Sequence, residues 1–502
     1  MSSFPEMAEP CPNGPRTRHT APGAMADGLC ARSVEIAATV ERIGTALTEA
    51  AISGLSRRMP LLSARRIATT VQSAQLLALA GTLLALFATD PLQSFDCAVR
   101  LLSAIFLFAV LVRALLALVG TRDRTAGSER SADSTLPLYT ILVPLYREAP
   151  MVPGLIAALE ALDYPKDLLD VILVAEADDQ DTVAACHACA RVFIATLAIP
   201  PSRPRTKPKA INFALSFARG DYLVVFDAED RPEPDQLRKA VAAFRDSPPN
   251  VACLQARLSF YNSGDCWLAA QAQADYRLWF GRLLPGLARL GVPVPLGGTS
   301  NHFRTQLLRD VGAWDPFNVT EDADLGMRLA RAGFRVAMLD STTFEETPAT
   351  LRGWMKQRSR WLKGYMQTWL VHSRSSRQLI ASAGLRGFLA FHFFIGGAVA
   401  SAVANPILWL TALLSCVFPS TFGATRDAAA FAIGGALGGN VILALPIVAT
   451  TPLRGDEGWG VALSVPIYWL LISAAAYRGF FQLLLRPFHW EKTMHGAEAS
   501  HA

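Results

Sequence analysis

Residues 222–232 read Tyr-Leu-Val-Val-Phe-Asp-Ala-Glu-Asp-Arg-Pro, an apolar run that changes abruptly into carboxylates. The apolar half predicts a buried strand, and such a strand aims the side chains at its end rigidly. Asp227 and Glu229 are two residues apart, so both can contact one hard cation, Mg²⁺ or Mn²⁺, which would also neutralise a pyrophosphate. A solvated acidic turn explains the run equally well, and both interpretations stay open.

Short β-rich runs alternate with helical stretches around this strand. The clearest further strands are predicted at residues 139–145 and 171–175, and each is followed by polar residues. The alternation predicts an α/β domain with a largely parallel sheet. Ligands bind beyond the carboxyl ends of the strands in such sheets. We therefore expect chemistry at residues 146–148, 176–181 and 227–230.

The chain as a whole is unusually apolar. Of its 502 residues, 51% are hydrophobic and only 18% are charged, a balance that is typical of membrane proteins. The apolar residues gather at 67–120 and 387–485, which predicts a soluble domain between two membrane regions. The net charge is +5, and no basic run with interleaved aromatic residues occurs. Nucleic acid is therefore not an expected partner.

The N-terminal region predicts no strand. Residues 1–33 mix Pro, Gly, Ser and Arg without periodicity, which predicts a disordered tail and no secretory signal. Residues 34–66 are weakly amphipathic and could form a helix at the membrane interface. Arginines 57, 58, 65 and 66 precede the first apolar segment and predict a cytosolic side. The eight cysteines lack metal-ligand spacing, since Cys186 and Cys189 have no second pair downstream, so we expect reduced thiols.

Two transmembrane helices are predicted within residues 67–120. Residues 67–89 are free of charge and long enough to cross a bilayer. Residues 101–119 are interrupted by Arg113, which could snorkel back to the side of entry. The soluble domain, residues 121–347, would then be cytosolic.

The C-terminal transmembrane helices are predicted at residues 385–485. Residues 387–420 are free of charge, but they contain Asn405-Pro406 and are long for one helix. We expect two short spans there, or a span and a re-entrant segment, which gives about six helices in all, with five as the alternative. Residues 486–502 would form a cytosolic tail. The predicted protein is a multi-pass protein of the plasma (inner) membrane.

The run Phe-Asn-Val-Thr-Glu-Asp-Ala-Asp-Leu-Gly-Met, residues 317–327, predicts the start of a helix. Thr320 could simply cap this helix, since acidic residues are favourable at a helix N-terminus. A transfer onto a hydroxyl group, however, needs a base close to that hydroxyl, and a carboxylate on a rigid helix start is suitable. On this run alone, capping is the commoner explanation.

The run Gln-Arg-Ser-Arg-Trp-Leu-Lys-Gly, residues 357–364, lies in an amphipathic region predicted at 348–384. Trp faces stack on sugar rings, Arg offers forked donors to pyrophosphate oxygens, and Gln can bond a sugar hydroxyl. The helix could therefore hold an acceptor and a leaving group together. A basic amphipathic helix that lies on lipid is the alternative.

Together the three runs resemble glycosyltransferase family 2, and most closely its processive membrane branch, which includes cellulose, chitin and hyaluronan synthases. Residues 227–229 match the family's Asp-x-Asp, residues 320–322 match Thr-Glu-Asp, and residues 357–361 match Gln-x-x-Arg-Trp. Three ordered motifs across residues 138–361 make the match specific. The resemblance implies an α/β catalytic domain of the glycosyltransferase-A type, with a mixed, mostly parallel sheet.

The resemblance also implies residue roles. Asp227 and Glu229 would hold Mg²⁺ or Mn²⁺, and Asp322 would be the general base, next to Glu321. The residues implied in donor binding are Glu176, Lys207, Lys209, Asp227 and Arg360. The residues implied in acceptor binding are Gly298, Thr299, Thr320, Gln357, Arg358 and Trp361. The chain departs from the family where Glu replaces Asp at positions 176 and 229 and where the cysteine of the acceptor motif is absent.

The function implied is inverting, metal-dependent transfer of a sugar from a nucleotide-sugar, with UDP-glucose as the expected donor, to a growing β-linked polysaccharide that is translocated as it grows. The expected partners are the donor, a glycan acceptor, the lipid bilayer and accessory subunits for export. Two alternatives stay open: a non-processive transferase that makes a glycolipid, and an inactive membrane scaffold or transport component.

Overall fold

The computed structural model describes residues 31–120, 136–418, 426–451 and 455–492. The strands are β1 (Tyr139–Leu145), β2 (Leu169–Glu176), β3 (Ile194–Ile199), β4 (Tyr222–Val225), β5 (Arg231–Pro232), β6 (Val251–Phe260), β7 (Asn301–Arg304) and β8 (Arg335–Glu345). They form one sheet in the order β3-β2-β1-β4-β7-β6-β8-β5. Strand β7 runs antiparallel to β4 and β6, whereas β3, β2, β1 and β4 are parallel. The predicted mixed, mostly parallel sheet is confirmed.

The helices surround the sheet and extend beyond it. Before the sheet lie α1 (Ala31–Arg58), α2 (Thr70–Thr89) and α3 (Pro91–Val119). Within the soluble domain lie α4 (Val152–Glu160), α5 (Gln180–Ala188), α6 (Lys207–Leu215), α7 (Gln236–Asp246), α8 (Trp267–Leu278), α9 (Leu284–Arg289), α10 (Thr305–Asp310) and α11 (Glu321–Arg331). After it come α12 (Leu351–His372), α13 (Ser376–Phe391), α14 (Gly397–Val417), α15 (Arg426–Ile433), α16 (Asn440–Thr450), α17 (Gly455–Leu463) and α18 (Val465–Leu485).

The central strands form because their residues are apolar on both faces, as a sheet covered by helices requires. Every residue of β2 is buried, and β1 is buried except at Pro144. The predicted strand 139–145 has the bounds of β1, and the prediction 171–175 lies inside β2. The apolar half of the acidic run, 222–226, extends one residue beyond its strand, because β4 ends at Val225.

Helix α1 corrects the boundary of the predicted N-terminal tail. Residues 1–30 lie outside the described residues, but residues 31–33 already belong to the helix. Helix α1 packs against β3 and α6, and the Asn212 side chain donates a hydrogen bond to the carbonyl oxygen of Ala51 at 3.2 Å. The soluble domain therefore covers the inner face of α1, and the prediction of an interfacial helix concerns only its outer face.

Five helical segments in the described ranges are long and apolar enough to cross a membrane, namely Thr70–Thr89, Pro91–Val119, Ser376–Val417, Asp427–Thr450 and Val465–Leu485. The described ranges thus hold five, the lower of the two expected numbers, because residues 387–420 do not divide at Asn405-Pro406. Pro406 lies inside α14, and the chain breaks earlier, at Gly384, with φ 70° and ψ 169°. Asn405 Oδ1 accepts a hydrogen bond from Asn440 Nδ2 at 3.0 Å, so this side chain links two helices and does not end one, although its Nδ2 has no partner among the described residues.

Helix α12 is buried, which overturns the alternative of a helix lying on lipid. After Arg352 no residue of this helix is exposed. Its outer side packs against α18, where a Cβ on Gly479 would lie 2.7 Å from the carbonyl oxygen of Ser359. The backbones of α12 and α18 can approach this closely only because position 479 is glycine. The first residues of the predicted tail, 486–492, then run back onto the soluble domain, and residues 493–502 lie outside the described part.

Candidate active site

The acidic turn after β4 is folded inward. The carboxylate of Asp230 is buried and accepts a hydrogen bond from the backbone N–H of Asp227 at 2.7 Å. The hydroxyl of Thr299 also bonds this carboxylate and lies 3.1 Å from the carbonyl oxygen of Val225. The alternative of a solvated acidic turn is therefore wrong. Thr299, which we expected to bind the acceptor, supports the turn with its hydroxyl.

Lys207 is the cation inside this turn. Its ammonium group bonds the Asp227 carboxylate and the carbonyl oxygen of Gly298, the latter at 2.6 Å. Burial disfavours the charged amine, but the charges of Asp227 and Glu321 outweigh burial and raise the pKa of Lys207. Lys207 therefore stays charged and links the acidic turn to the loop at Gly298.

The carboxylates outnumber this single ammonium. Burial, and next the charge of Asp227, raise the pKa of Asp230 to about 7. Burial, and next the charges of Asp227 and Asp230, raise the pKa values of Glu229 and Glu345 well above the ordinary range. Crowding of this kind marks a place where a further cation lowers the free energy.

A divalent cation fits that surplus of negative charge. Asp227 and Glu229 offer carboxylate oxygens, which hard cations prefer. Among the residues that the structure describes, no group of three His, Cys, Asp or Glu side chains is placed to hold a metal. Asp227 and Glu229 would hold the cation together with oxygens from outside the protein, such as those of water or of a diphosphate.

Glu176 and Lys209 form a buried ion pair beside the turn. Lys209 Nζ lies 2.5 Å from Glu176 Oε1, and both side chains are almost fully buried. Burial raises the pKa of Glu176, and Lys209 opposes the rise. Lys209 does not line the cavity described below, so the structure does not place it against a donor. Glu176 does line it, and its Oε2 has no hydrogen-bond partner among the described residues.

The start of α11 carries the candidate base. Thr320 precedes the helix, but its hydroxyl does not cap it and instead lies 3.4 Å from the Asn318 side chain. The capping explanation for Thr320 is therefore wrong. Burial, and next the charge of Asp322, raise the pKa of Glu321 to about 8, whereas the pKa of Asp322 is raised by burial. A Cβ at Gly298 would lie 3.5 Å from Asp322 Oδ2, so only a small residue leaves the space before this carboxylate open.

Helix α12 presents its motif to the same space. Arg358 lies 4.2 Å above the Trp361 ring, and that ring stacks on Tyr276 at 6.2 Å. The guanidinium of Arg360 lies 4.6 Å from the ring of Trp490 in the C-terminal tail. The Oε1 atom of the buried Gln357 has no partner within the described ranges.

One cavity of about 360 Å³ joins these groups. The predicted site residues that line it are Glu176, Lys207, Asp227, Glu229, Gly298, Thr299, Thr320, Glu321, Asp322, Gln357, Arg358, Arg360 and Trp361. Only Lys209 among the predicted residues is absent from its wall. The arrangement puts a cationic and carboxylate-rich end next to an aromatic end, with Asp322 in the same cavity.

The structure adds residues that sequence reasoning missed. Glu345 ends β8, and Asp275 lies in α8, and both line the cavity. The tail adds Lys492, whose ammonium group is 3.1 Å from Glu148. Asp230 lies within residues 227–230, where we expected chemistry, but no role was predicted for its side chain. No local pattern indicates a functional role for Glu345 or Asp275. The segments around them are explained as an ordinary strand and an ordinary helix.

Known proteins resemble the chain in this region. Residues 137–364 match the model of Glycosyltransferase like family 2. A glucomannan 4-beta-mannosyltransferase of Arabidopsis thaliana is 27% identical over 245 residues, which cover 47% of this chain and 46% of the relative. A beta-monoglucosyldiacylglycerol synthase of Nostoc sp. is 26% identical over 251 residues, which cover 48% and 52%. The chain thus spans about half the length of these curated relatives.

A solved structure resembles the fold. A mannosyltransferase from Pyrobaculum calidifontis, in complex with GDP-Man and Mn²⁺, aligns with a TM-score of 0.50 and 21% identity over 78% of this chain and 99% of its own. The fold and the matched motifs define a glycosyltransferase domain of the glycosyltransferase-A type. Residues 137–364 belong to glycosyltransferase family 2.

Proposed function

We propose that the chain is an inverting, metal-dependent membrane glycosyltransferase that moves a sugar from a nucleotide-sugar onto a hydroxyl group of a glycan. The observation that carries the proposal is the single cavity in which Lys207 and Asp227 face the same space as Asp322 and Trp361. A donor diphosphate suits the first pair, and an acceptor sugar suits the second.

The donor end would hold the leaving group. A divalent metal bound by Asp227 and Glu229 would offset the charge of the diphosphate. Arg360 also reaches this cavity, and its guanidinium can bond phosphate oxygens as the charge on them grows. Lys207 keeps the acidic turn in place, because it bonds both Asp227 and the Gly298 carbonyl.

Asp322 would accept the proton of the acceptor hydroxyl. The hydroxyl oxygen forms a bond to the anomeric carbon, while the bond from that carbon to the phosphate oxygen breaks and the nucleoside diphosphate leaves with its electron pair. One displacement inverts the anomeric centre, and no covalent enzyme intermediate forms. The raised pKa of Asp322 suits a base of this kind.

The donor proposed from the motif resemblance is UDP-glucose. A GDP-mannose donor is the second candidate, since one relative is named a mannosyltransferase and the similar structure holds GDP-Man. The proposed setting is the inner membrane with the catalytic domain in the cytosol, and the proposed product is a polysaccharide. Transfer to a lipid is the second candidate function, favoured by the relative named for a glucosyldiacylglycerol.

The test is sugar transfer by the full chain in lipid nanodiscs. Radiolabelled UDP- and GDP-sugars are supplied with Mg²⁺ or Mn²⁺, and the products are sized and digested with linkage-specific glycosidases. We expect transfer from one donor, and its loss in D322N with donor binding retained. D246N, an exposed carboxylate on α7, is the matched control. Near-normal turnover of D322N contradicts the proposal, and a single sugar on lipid selects the glycolipid product.

A further inference from the structure

A second charged cluster lies at the membrane side of the cavity. Arg113, in the membrane helix α3, forms an ion pair with Asp275 of α8, with Nη2 and Oδ1 2.9 Å apart. Arg358 of α12 lies on the other oxygen of the same carboxylate, at 3.9 Å. Three separate elements thus meet at Asp275. Arg113 thus has an ion-pair partner in the soluble domain that the sequence did not indicate.

Aromatic rings surround this cluster. The guanidinium of Arg113 lies 5.2 Å from the ring of Trp469 in α18 and 6.0 Å from that of Trp279. Trp279 in turn stacks with Tyr365 of α12 at 6.4 Å. Each of these residues lines the cavity that contains Asp322.

Several buried donors of the cluster are unsatisfied. The structure shows no hydrogen-bond partner, within the residues it describes, for Arg113 Nε, Arg358 Nε and Nη2, or Trp469 Nε1. Arg358 is 5% exposed and Trp469 is 6% exposed, so bulk water does not replace the missing partners freely. Leaving buried donors unpaired costs free energy, which a ligand rich in oxygen atoms would recover.

We propose that Arg113, Asp275, Arg358 and Trp469 form a subsite for a second sugar unit of the acceptor, one unit behind the hydroxyl that receives the new sugar. The proposal rests on the proposed function for the position of the acceptor end. Sugar hydroxyls accept hydrogen bonds from the arginine and tryptophan N–H groups, and the apolar face of a sugar ring packs on an indole.

The carboxylate of Asp275 favours a sugar over a lipid as the ligand of this cluster. Asp275 can accept a hydrogen bond from a hydroxyl group, and the ionised phosphate of a phosphodiester carries no such donor. It also offsets one of the two guanidinium charges, so the cluster is poorly suited to a strongly anionic group. A lipid acyl chain would leave the N–H groups unpaired. A neutral, hydroxyl-rich sugar offers acceptors to the arginine and tryptophan N–H groups and a donor to Asp275, and the enzyme would therefore prefer an acceptor of at least two sugars.

Binding of oligosaccharides tests the subsite without a donor. The full chain in nanodiscs is dialysed against radiolabelled glucose, cellobiose and cellotriose, and in parallel against mannose and its β-1,4-linked dimer and trimer. In one series we expect the dimer to bind about tenfold more tightly than the monomer, because the second ring adds a stacking contact. W469A and R113Q should remove most of this gain. W469F, which keeps a ring, should retain part of it.

Matched variants separate binding from folding. W409A removes a tryptophan of α14 that does not line the cavity, and it should keep the full gain. R113K keeps a positive charge opposite Asp275 but has no Nε–H, so it should fold like the parent and still bind the dimer more weakly. Equal binding of monomer, dimer and trimer in both series overturns the subsite, as does a gain that survives both W469A and R113Q. If the parent chain transfers no sugar but still binds the dimer more tightly than the monomer, the proposed function is overturned and the subsite is not.

Discussion

The ammonium group of Lys492 lies 3.1 Å from the Glu148 carboxylate, although Lys492 follows the last helix, α18, and Glu148 follows the first strand, β1. Lys492 also bonds the carbonyl oxygen of Tyr146, directly after β1. The C-terminal tail is thereby fastened across the end of the cavity where Glu176 and Lys207 lie.

The contacts of Lys492 with Glu148 and Tyr146 predict a role for Lys492 in donor binding. K492A removes the contacts to Glu148 and Tyr146, so the donor KM should rise about three- to tenfold while kcat changes less, as expected when roughly one charge-assisted hydrogen bond is lost. Steady-state kinetics with the accepted nucleotide-sugar measure this. K239A, on a surface ion pair with Glu233, should leave the donor KM unchanged. An unaltered donor KM in K492A would mean that the tail does not order the donor end.

Metal dependence should follow the acidic turn. D227N and E229Q each remove one carboxylate charge, so more Mn²⁺ should be needed for half-maximal transfer, and D227N should additionally lose the partner of Lys207. Metal titration of the transfer rate checks this. D246N, at the exposed end of α7, serves as the control. A half-maximal metal concentration that is the same in the parent and all three variants would exclude these ligands.

The pH profile should distinguish the two adjacent acids of α11. The pKa of Glu321 is about 8, so this side chain is largely protonated at pH 7 and E321Q resembles it there. E321Q should therefore lose far less activity than D322N at pH 7. Asp322 must be deprotonated to act as the base, and burial raises its pKa, so kcat should fall on acidification at a higher pH than for an exposed aspartate. Rates across about pH 5 to 9 measure both effects. Greater loss in E321Q than in D322N would reverse the assignment.

Gly364 leaves room for Thr320, which lies just before the candidate base Asp322, because glycine has no side chain. A Cβ there would lie 2.3 Å from Thr320 Oγ1, next to Glu321 and Asp322. G364A should displace Thr320, lower kcat more than it changes the donor KM, and destabilise the fold by about 1–3 kcal/mol. A Cβ at Gly281 would have no such neighbour within 4 Å, so G281A is the matched control. Kinetics and thermal unfolding measure the two effects, and parent-like kcat in a folded G364A would contradict the coupling.

The buried Glu176–Lys209 ion pair should contribute mainly to the free energy of unfolding of the domain. K209A leaves a buried carboxylate without its partner and should destabilise the domain by about 3–5 kcal/mol. The double variant E176Q/K209M removes both charges and should recover much of that loss. Thermal unfolding compares them. If K209A unfolds like the parent, the pair is not structural.

Sequence reasoning succeeded where local pattern and chemistry coincide. The strand at 139–145 is apolar on both faces, and residues 227–229 follow another such strand, so both the fold class and the acidic turn could be predicted. It failed for Arg113 and Asp275, which lie 162 residues apart. Either residue alone is an isolated charge, and no local pattern pairs them. The expected break at Asn405 was wrong for the same reason, since its partner Asn440 lies on another helix.

The close approach at Gly479 has a mechanical consequence. Because the backbones of α12 and α18 touch there, a tilt of α18 cannot be absorbed by side chains and must displace α12 with it. Helix α12 carries Arg358, Arg360 and Trp361, which line the cavity. We therefore expect a bilayer whose hydrophobic thickness differs from the length of α18 to strain this cavity, so that the rate of the proposed transfer would depend on lipid chain length.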